Sequence, residues 1–512
     1  MFLSTAEKMR AADRRAIMDY KIPSIALMET ASRAVARAAE PYLRGGGSAC
    51  VLCGSGNNGG DGVGAAVELL RQGHAVRVLL TGSRAHATAD FLEMERRLQA
   101  LGGTVEPFDA AQGLPAGTAV VIDAMFGIGL NKPLEGGARA AVEAVNAAGF
   151  PVVAADIPSG VEADTGRILG AAVQATVTVT FSMAKPGHFV EPGCVCTGHL
   201  ELAGIGIPPE VLQEAATPIR ALQDWAVPLP RRDALSHKGD YGRVLLLGGC
   251  VGYTGAPSLC ARAAVRAGAG LVYLGVPAPI YEITAIKNDE AMPFPLPAEE
   301  GGGIAAPAGV DRALRRLETC DVCACGPGLG RGAGARELVR ALLTAPEGGR
   351  SRPLVLDADA LNALAGNLDW LHGRTEPAIL TPHAGEFARL GGALTGDRLG
   401  DALRFAGAHN CVLLLKGHRC IAAFPDGRAY IATRGNAGMA KGGSGDVLTG
   451  ILAALLGQFP GKVRRAVCTG MQLHALAGDL CRASLGEYGM TASDLIAALP
   501  EAEKQLMEDE KA

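Results

Sequence analysis

At 512 residues the chain is longer than one hydrophobic core supports, so two or three domains are expected. Hydrophobic residues supply 48% and charged residues 20%, the balance of a soluble globular protein, and the net charge of −4 leaves no basic excess for nucleic acid or anionic lipid. The opening MFLSTAEKMRAADRRAI has no apolar signal core, and no uncharged apolar run approaches the ~20 residues of a membrane span, so a cytoplasmic protein is expected.

In chain order, ACVLCG (49–54) reads as a buried strand, DGVGAAVELLRQG (61–73) as a helix and AVRVLLTG (75–82) as the next strand. TAVVIDAMFG (118–127), FPVVAADIPSG (150–160) and ATVTVTFS (175–182) read as further strands ending in loops. Strands separated by helical stretches imply a parallel sheet between helices. Prolines and mixed charges across 206–242 break this rhythm and put a domain junction near 210–230, dividing the chain into domains 1–215 and 225–508. A second alternation follows, with strands at 242–249, 270–277, 320–328, 352–359, 376–383 and 411–417, and a long buried helix at 445–458. Both halves are therefore expected to be α/β.

The 13 cysteines are expected to be reduced. Cys50/Cys53 and Cys320/Cys323 form two C-x-x-C pairs, but each pair lies in or beside an apolar strand run, and the two are far apart. They read as buried strand thiols rather than a zinc ribbon.

Gly54, Gly56 and Gly59 form a G-x-G-x-x-G between the first strand and its helix, the setting of a dinucleotide fingerprint. That fingerprint also needs an acid ~20 residues on, where Leu79 and Leu80 stand. An ordinary dehydrogenase is disfavoured. Asn57, Asn58 and Asp61 instead put side-chain oxygens in the loop, and Asp123, Asp156 and Ser159 add more at other strand ends. Any one such loop can be a simple turn. Several after apolar strands suit a hard cation or ligand hydroxyls in one crevice.

GSGNNGGDG, DAMFGIGL, DIPSG and LMETASRAVARAA together resemble the NAD(P)H-hydrate epimerase domain, a Rossmann-like three-layer sandwich, over most of residues 1–210. The resemblance implies that Asn57, Asn58, Gly59, Gly60 and Asp61, with Gly127, Ile128, Gly129, Leu130, Asn131, Lys132 and Pro133, hold a hydrated nicotinamide nucleotide as substrate. It also implies a potassium ion on Asn58, Asp123 and Ser159, with Asp156 at the substrate. Epimerisation at C6 breaks and re-forms a C–O bond. Asp156 is the expected proton shuttle, and Lys132 a second candidate acid. Ile128 stands where such domains often carry threonine.

In the second half, NAGMAKGGSGDVLTGILAALL (436–456) runs a glycine-rich loop into an apolar helix without the G-K-[ST] of a Walker A. Amides at 442–445 would form an anion pocket, and Asp446 in the first turn could take the proton of a hydroxyl attacking a phosphoryl group. GPGLG (326–330), LDADALN (356–362), TPHAGEF (381–387) and LLLKGH (413–418) end other strands.

With HKGDYGRVLLLGG and YTGAPSL, these motifs resemble the ADP-dependent NAD(P)H-hydrate dehydratase domain, of ribokinase-like fold, over about 225–505. The resemblance implies that Ala256, Gly328, His383 and Asp446 contact the hydrate. It implies that Lys416, Gly417, His418, Arg419, Cys420 and Gly445 contact the adenine nucleotide, ADP, with Mg2+. Three positions depart from it: Cys420 and Lys441 replace usual threonines, and Ala384 a usual proline. The whole resembles the bifunctional NAD(P)H-hydrate repair family, which implies NADHX and NADPHX as substrates and a homo-oligomer. The alternative is a ribokinase-like small-molecule kinase fused to a non-catalytic nucleotide-binding scaffold.

Overall fold

A computed structural model describes residues 1–223, 227–344 and 352–508. The chain divides into two compact units, one comprising Phe2–Arg220 with Gly396–Arg398, the other Met1, Ala221–Thr395 and Leu399–Ala512. Residue 225, the expected start of the second domain, lies outside the described residues.

The first unit holds strands β1 (Ser48–Cys53), β2 (Ala75–Leu80), β3 (Val105–Pro107), β4 (Thr118–Ala124), β5 (Val152–Ala155), β6 (Val177–Phe181) and β7 (His199–Ala203). All run parallel, in the order β3-β2-β1-β4-β5-β6-β7. Strand order reverses between β1 and β4, and the carboxyl ends there open a crevice. Residues of β1 alternate between two cores: Ala49, Val51 and Cys53 pack on one face, Cys50 and Leu52 on the other. The two thiols of this C-x-x-C therefore point to opposite faces of the sheet and share no metal. Burial pushes each up to about 12.

The helix after β1 runs Asn57–Arg71, so it begins four residues before the expected Asp61. Asn-Asn-Gly-Gly is poor helix-forming sequence, and packing overrides it. A Cβ on Gly59 would lie 1.8 Å from the Gly54 carbonyl, one on Gly60 2.6 Å from Met28, and one on Gly64 2.0 Å from Ser32. Bare glycine lets this helix lie directly on the neighbouring helix Ser24–Ala39 and on its own loop.

The second unit carries the larger sheet: β8 (Ile219–Ala221), at the boundary, then β9 (Arg243–Leu247), β10 (Leu271–Pro277), β11 (Met292–Leu296), β12 (Val322–Cys325), β13 (Leu354–Leu356), β14 (Ile379–Leu380), β15 (Val412–Leu415), β16 (Ile421–Ala423) and β17 (Ala429–Ile431). Its order is β11-β10-β9-β12-β13-β14-β15-β16-β17-β8. Neighbours from β11 to β15 are parallel, whereas β15, β16 and β17 are antiparallel.

Helix Ser444–Gln458 buries Val447, Leu448, Ile451, Leu452, Leu455 and Leu456. At ~1.5–3 kcal/mol per large apolar side chain, that burial fixes the helix N-terminus over the carboxyl ends of the strands. Gly450 completes the fit, since a Cβ there would meet the Cys260 carbonyl at 2.1 Å. Among the described residues no helix is long and apolar enough to cross a membrane.

Candidate active sites

In the first crevice, Asn57 and Asn58 open the helix after β1, and Asn58 Oδ1 would lie 3.1 Å from a Cβ on Gly127. The Asn58 amide nitrogen is buried without a hydrogen-bond partner. Asp123, near the end of β4, is fully buried. Its Oδ1 accepts from Ser159 Oγ at 2.6 Å and from the Met125 amide at 3.3 Å, and its Oδ2 accepts from the Ser159 amide at 2.8 Å. Burial raises its pKa to about 6 against these three bonds. Among the described residues no Lys, Arg or His pairs with it. A buried carboxylate without a countercharge, bonded to a serine hydroxyl, with the Asn58 side chain against Gly127, is a donor set that fits a monovalent hard cation.

Asp156 follows β5 in left-handed backbone, with φ 68, a strained conformation for a residue with a side chain. Lys185 Nζ donates to its Oδ1 at 2.5 Å and to Thr180 Oγ1 at 2.8 Å, and Thr180 Oγ1 donates to the same carboxylate oxygen at 3.1 Å. Burial pushes the Asp156 carboxyl up, but the Lys185 charge and hydrogen bond, aided by His188 and Thr180, outweigh it and hold the group below its ordinary value. The Lys185 amide donates to His188 Nδ1 at 3.1 Å, which leaves the ring proton on Nε2, 2.9 Å from the Asp156 carbonyl. Burial lowers His188 to about 4, so the ring is neutral.

The sequence alone does not single out Lys185, His188 or Thr180, although SMAKPGHF follows a strand end as DIPSG does. Lys132, in contrast, is exposed. Ile128 packs apolar against two core clusters, and its carbonyl accepts from Arg10 at 3.3 Å.

The second crevice forms around Asp357, at the end of β13. Lys416 Nζ donates to Asp357 Oδ1 at 2.7 Å and lies 3.7 Å from Glu386, while Thr449 Oγ1 donates to Asp357 Oδ2 at 2.9 Å. Asp359, two residues on, takes the Gly330 amide at 3.0 Å instead and braces the GPGLG loop. Gly443, at φ 97, caps helix Ser444–Gln458, and a Cβ on Gly445 would stand 3.3 Å from Lys416 Nζ. Asp446 sits in the first turn with its carboxyl pushed up to about 7, by burial and then by the Asp357 charge, against the pull of Lys416.

Gly328, at φ 63, and Ala256 meet: a Cβ on the glycine would be 3.4 Å from Ala256 Cβ and 3.0 Å from Tyr253 Cβ. His383 caps helix Ala384–Arg389, its Nδ1 accepting from the Gly385 and Glu386 amides at 3.0 and 3.3 Å. Ala384 is the first residue of that helix, where proline is also at home. After β15 come Lys416, Gly417, His418, Arg419 and Cys420, with Arg419 strained at φ 60 and its Nε buried without a hydrogen-bond partner. Cys420 donates to the Gly417 carbonyl at 3.5 Å. Lys441 turns away to the Tyr488 and Met490 carbonyls, at 2.5 and 2.7 Å.

Two sheets, one all parallel and one parallel from β11 to β15, each with a lysine–aspartate ion pair at its carboxyl edge, define a two-domain α/β protein, Rossmann-like in its first half. Residues 24–187 match the family described as YjeF-related protein N-terminus, and residues 244–501 match the family described as NAD(P)H-hydrate dehydratase. The chain is 42% identical to a bifunctional NAD(P)H-hydrate repair enzyme of Moorella thermoacetica, over 99% of this chain and 98% of that one. It is 38% identical to one from Thermofilum pendens (99% and 97% covered) and 35% identical to one from Escherichia coli (96% and 92% covered). A solved ADP/ATP-dependent NAD(P)H-hydrate dehydratase from Bacillus subtilis, co-crystallized with ATP/Mg2+, is 31% identical with a TM-score of 0.49, covering 57% of this chain and 100% of its own. The chain belongs to the bifunctional NAD(P)H-hydrate repair enzyme family. These relatives favour repair over the kinase-and-scaffold alternative.

Proposed function

We propose that the first half interconverts the R and S hydrates of NADH and NADPH at C6, and that the second half dehydrates the S form with ADP, giving AMP and phosphate. The observation that carries this reading is Asp446, a carboxyl poised near neutrality in the first turn of a glycine-capped helix, beside Lys416 and Asp357.

In the dehydratase half, Asp446 takes the proton of the C6 hydroxyl as its oxygen bonds to the β-phosphorus of ADP and the bond to AMP breaks. The amides at 442–445 and Lys416 stabilise the charge on the transferring group. Phosphate then leaves C6 far more readily than hydroxide, and loss of the C5 proton restores the dihydropyridine ring. Mg2+, when bound with the nucleotide, neutralises phosphate charge. Ala256, Gly328 and His383 hold the hydrate, and residues 416–420 with Gly445 hold the nucleotide.

In the epimerase half, Asp156 is kept anionic by Lys185 and faces the cationic ring formed when the C6–O bond opens. The helix start at 57–61 and the loop at 127–133 hold the substrate, with the Asn58 amide nitrogen free to donate to it. Asn58, Asp123 and Ser159 would hold potassium, which would supply the countercharge that Asp123 lacks. The many free thiols suit a reducing cytoplasm.

A mixed NADHX pool with ADP, given to wild type, Asp446→Ala and Asp156→Ala, tests this function. No repair is expected from Asp446→Ala, and repair of only the S fraction at the enzymatic rate from Asp156→Ala. Full repair by both variants overturns the reading.

A further inference from the structure

Helix Ala6–Met18 lies over the first crevice. The Ser4 amide just before it donates to the Ala184 carbonyl, next to Lys185, at 3.0 Å. Arg10, inside it, donates to the Ile128 carbonyl of the 127–133 loop at 3.3 Å. Met9 and Ala16 are buried, and Asp13, at helical spacing from both, shares their inward face. The charged groups facing Asp13 are Asp156 after β5, Lys185 after β6 and Asp61 on helix Asn57–Arg71. Among the described residues Asp13 has no hydrogen-bond partner, whereas Asp156 is engaged by both Lys185 and Thr180. Lys185 thus faces both Asp13 and Asp156, and it is committed to Asp156.

We propose that Asp13 is the acid of the epimerase reaction, donating its proton to the C6 hydroxyl of the bound hydrate. This rests on the epimerase function proposed above. The C6–O bond breaks with its electron pair going to oxygen, water departs, and the ring nitrogen lone pair forms a C=N+ bond to C6. Water then adds to the opposite ring face and gives its proton to Asp156, and the proton returns to Asp13 through solvent, so the cycle closes without an oxidant or reductant. Two acids kept in opposite protonation states suit the two faces of the ring. Burial first, and then the Asp156 charge, raise Asp13 to about 6 against the pull of Lys185, which supports a proton-bearing role.

The test uses the full chain and purified R-NADHX, following its conversion to the S form without ADP and subtracting the uncatalysed rate. Asp13→Asn is expected to lower kcat about 10²–10⁴-fold with KM within about twofold, and Asp13→Glu to restore part of the loss. Wild-type kcat is expected to fall as pH rises past the range where Asp13 loses its proton, and the asparagine variant to lack that limb. Its melting temperature is expected to equal or exceed wild type, because one of three crowded carboxyls becomes neutral. Wild-type kcat in Asp13→Asn, a change confined to KM, or an unaltered alkaline limb overturns the proposal. A wild-type chain that does not epimerise overturns the underlying function instead.

Discussion

Lys185 Nζ lies 2.5 Å from Asp156 Oδ1, with both side chains buried and Thr180 bonded to each. Each charge is there because the other is. Replacing Lys185 by methionine leaves an uncompensated buried carboxylate, so a loss of about 3–5 kcal/mol is expected in urea unfolding followed by circular dichroism. The double variant Lys185→Met/Asp156→Asn should recover most of that loss while remaining inactive as an epimerase.

Asp446 acts as a base and must be ionised to do so. Its carboxyl is pushed up to about 7 in the free protein, so kcat/KM for the hydrate is expected to fall tenfold per pH unit below that value and to level off above it. Asp446→Asn should abolish the chemical step, measured as recovery of dihydronicotinamide absorbance, while ADP binding by calorimetry stays within a few-fold.

Gly59 has no room for a methyl group, because its Cβ would stand 1.8 Å from the Gly54 carbonyl. Gly59→Ala must push the loop away from the helix, and a shift of ~1 Å at a positioned site can cost ~10²-fold in rate. Epimerisation is expected to fall at least tenfold, and the dehydratase rate on purified S-NADHX to be unchanged, which a paired assay on one preparation checks.

Lys441 holds the Tyr488 and Met490 carbonyls at the end of helix Val463–Gly489. Its charge supports a helix terminus rather than a phosphate. Lys441→Ala should lower the melting temperature only ~1–3 °C and leave the KM for ADP within about twofold. A tenfold rise in that KM would place the side chain at the nucleotide after all.

The alternation of apolar strands and helices was legible in the sequence because each element depends on neighbours a few positions away. Period, turn chemistry and a glycine next to an asparagine are local signals. The start of helix Asn57–Arg71 was not legible: intrinsic propensity argued against it, and contacts of Gly60 with Met28 and of Gly64 with Ser32, each 32 positions away, decided it.

Tertiary structure alone decided which residues meet and which charges they carry. Lys416 reaches Asp357 across 59 positions, Thr449 reaches it across 92, and Asp13 faces Asp156 from a helix near the start of the chain. No local pattern encodes those distances. Packing then separates chemically identical carboxyls: burial raises Asp13, Asp123 and Asp446 above their ordinary value, whereas Lys185 and Lys416 outweigh burial and hold Asp156 and Asp357 below it. A sequence shows that an aspartate is present, but its proton affinity depends on the water it has lost and the cation beside it, and both are set only when the chain packs.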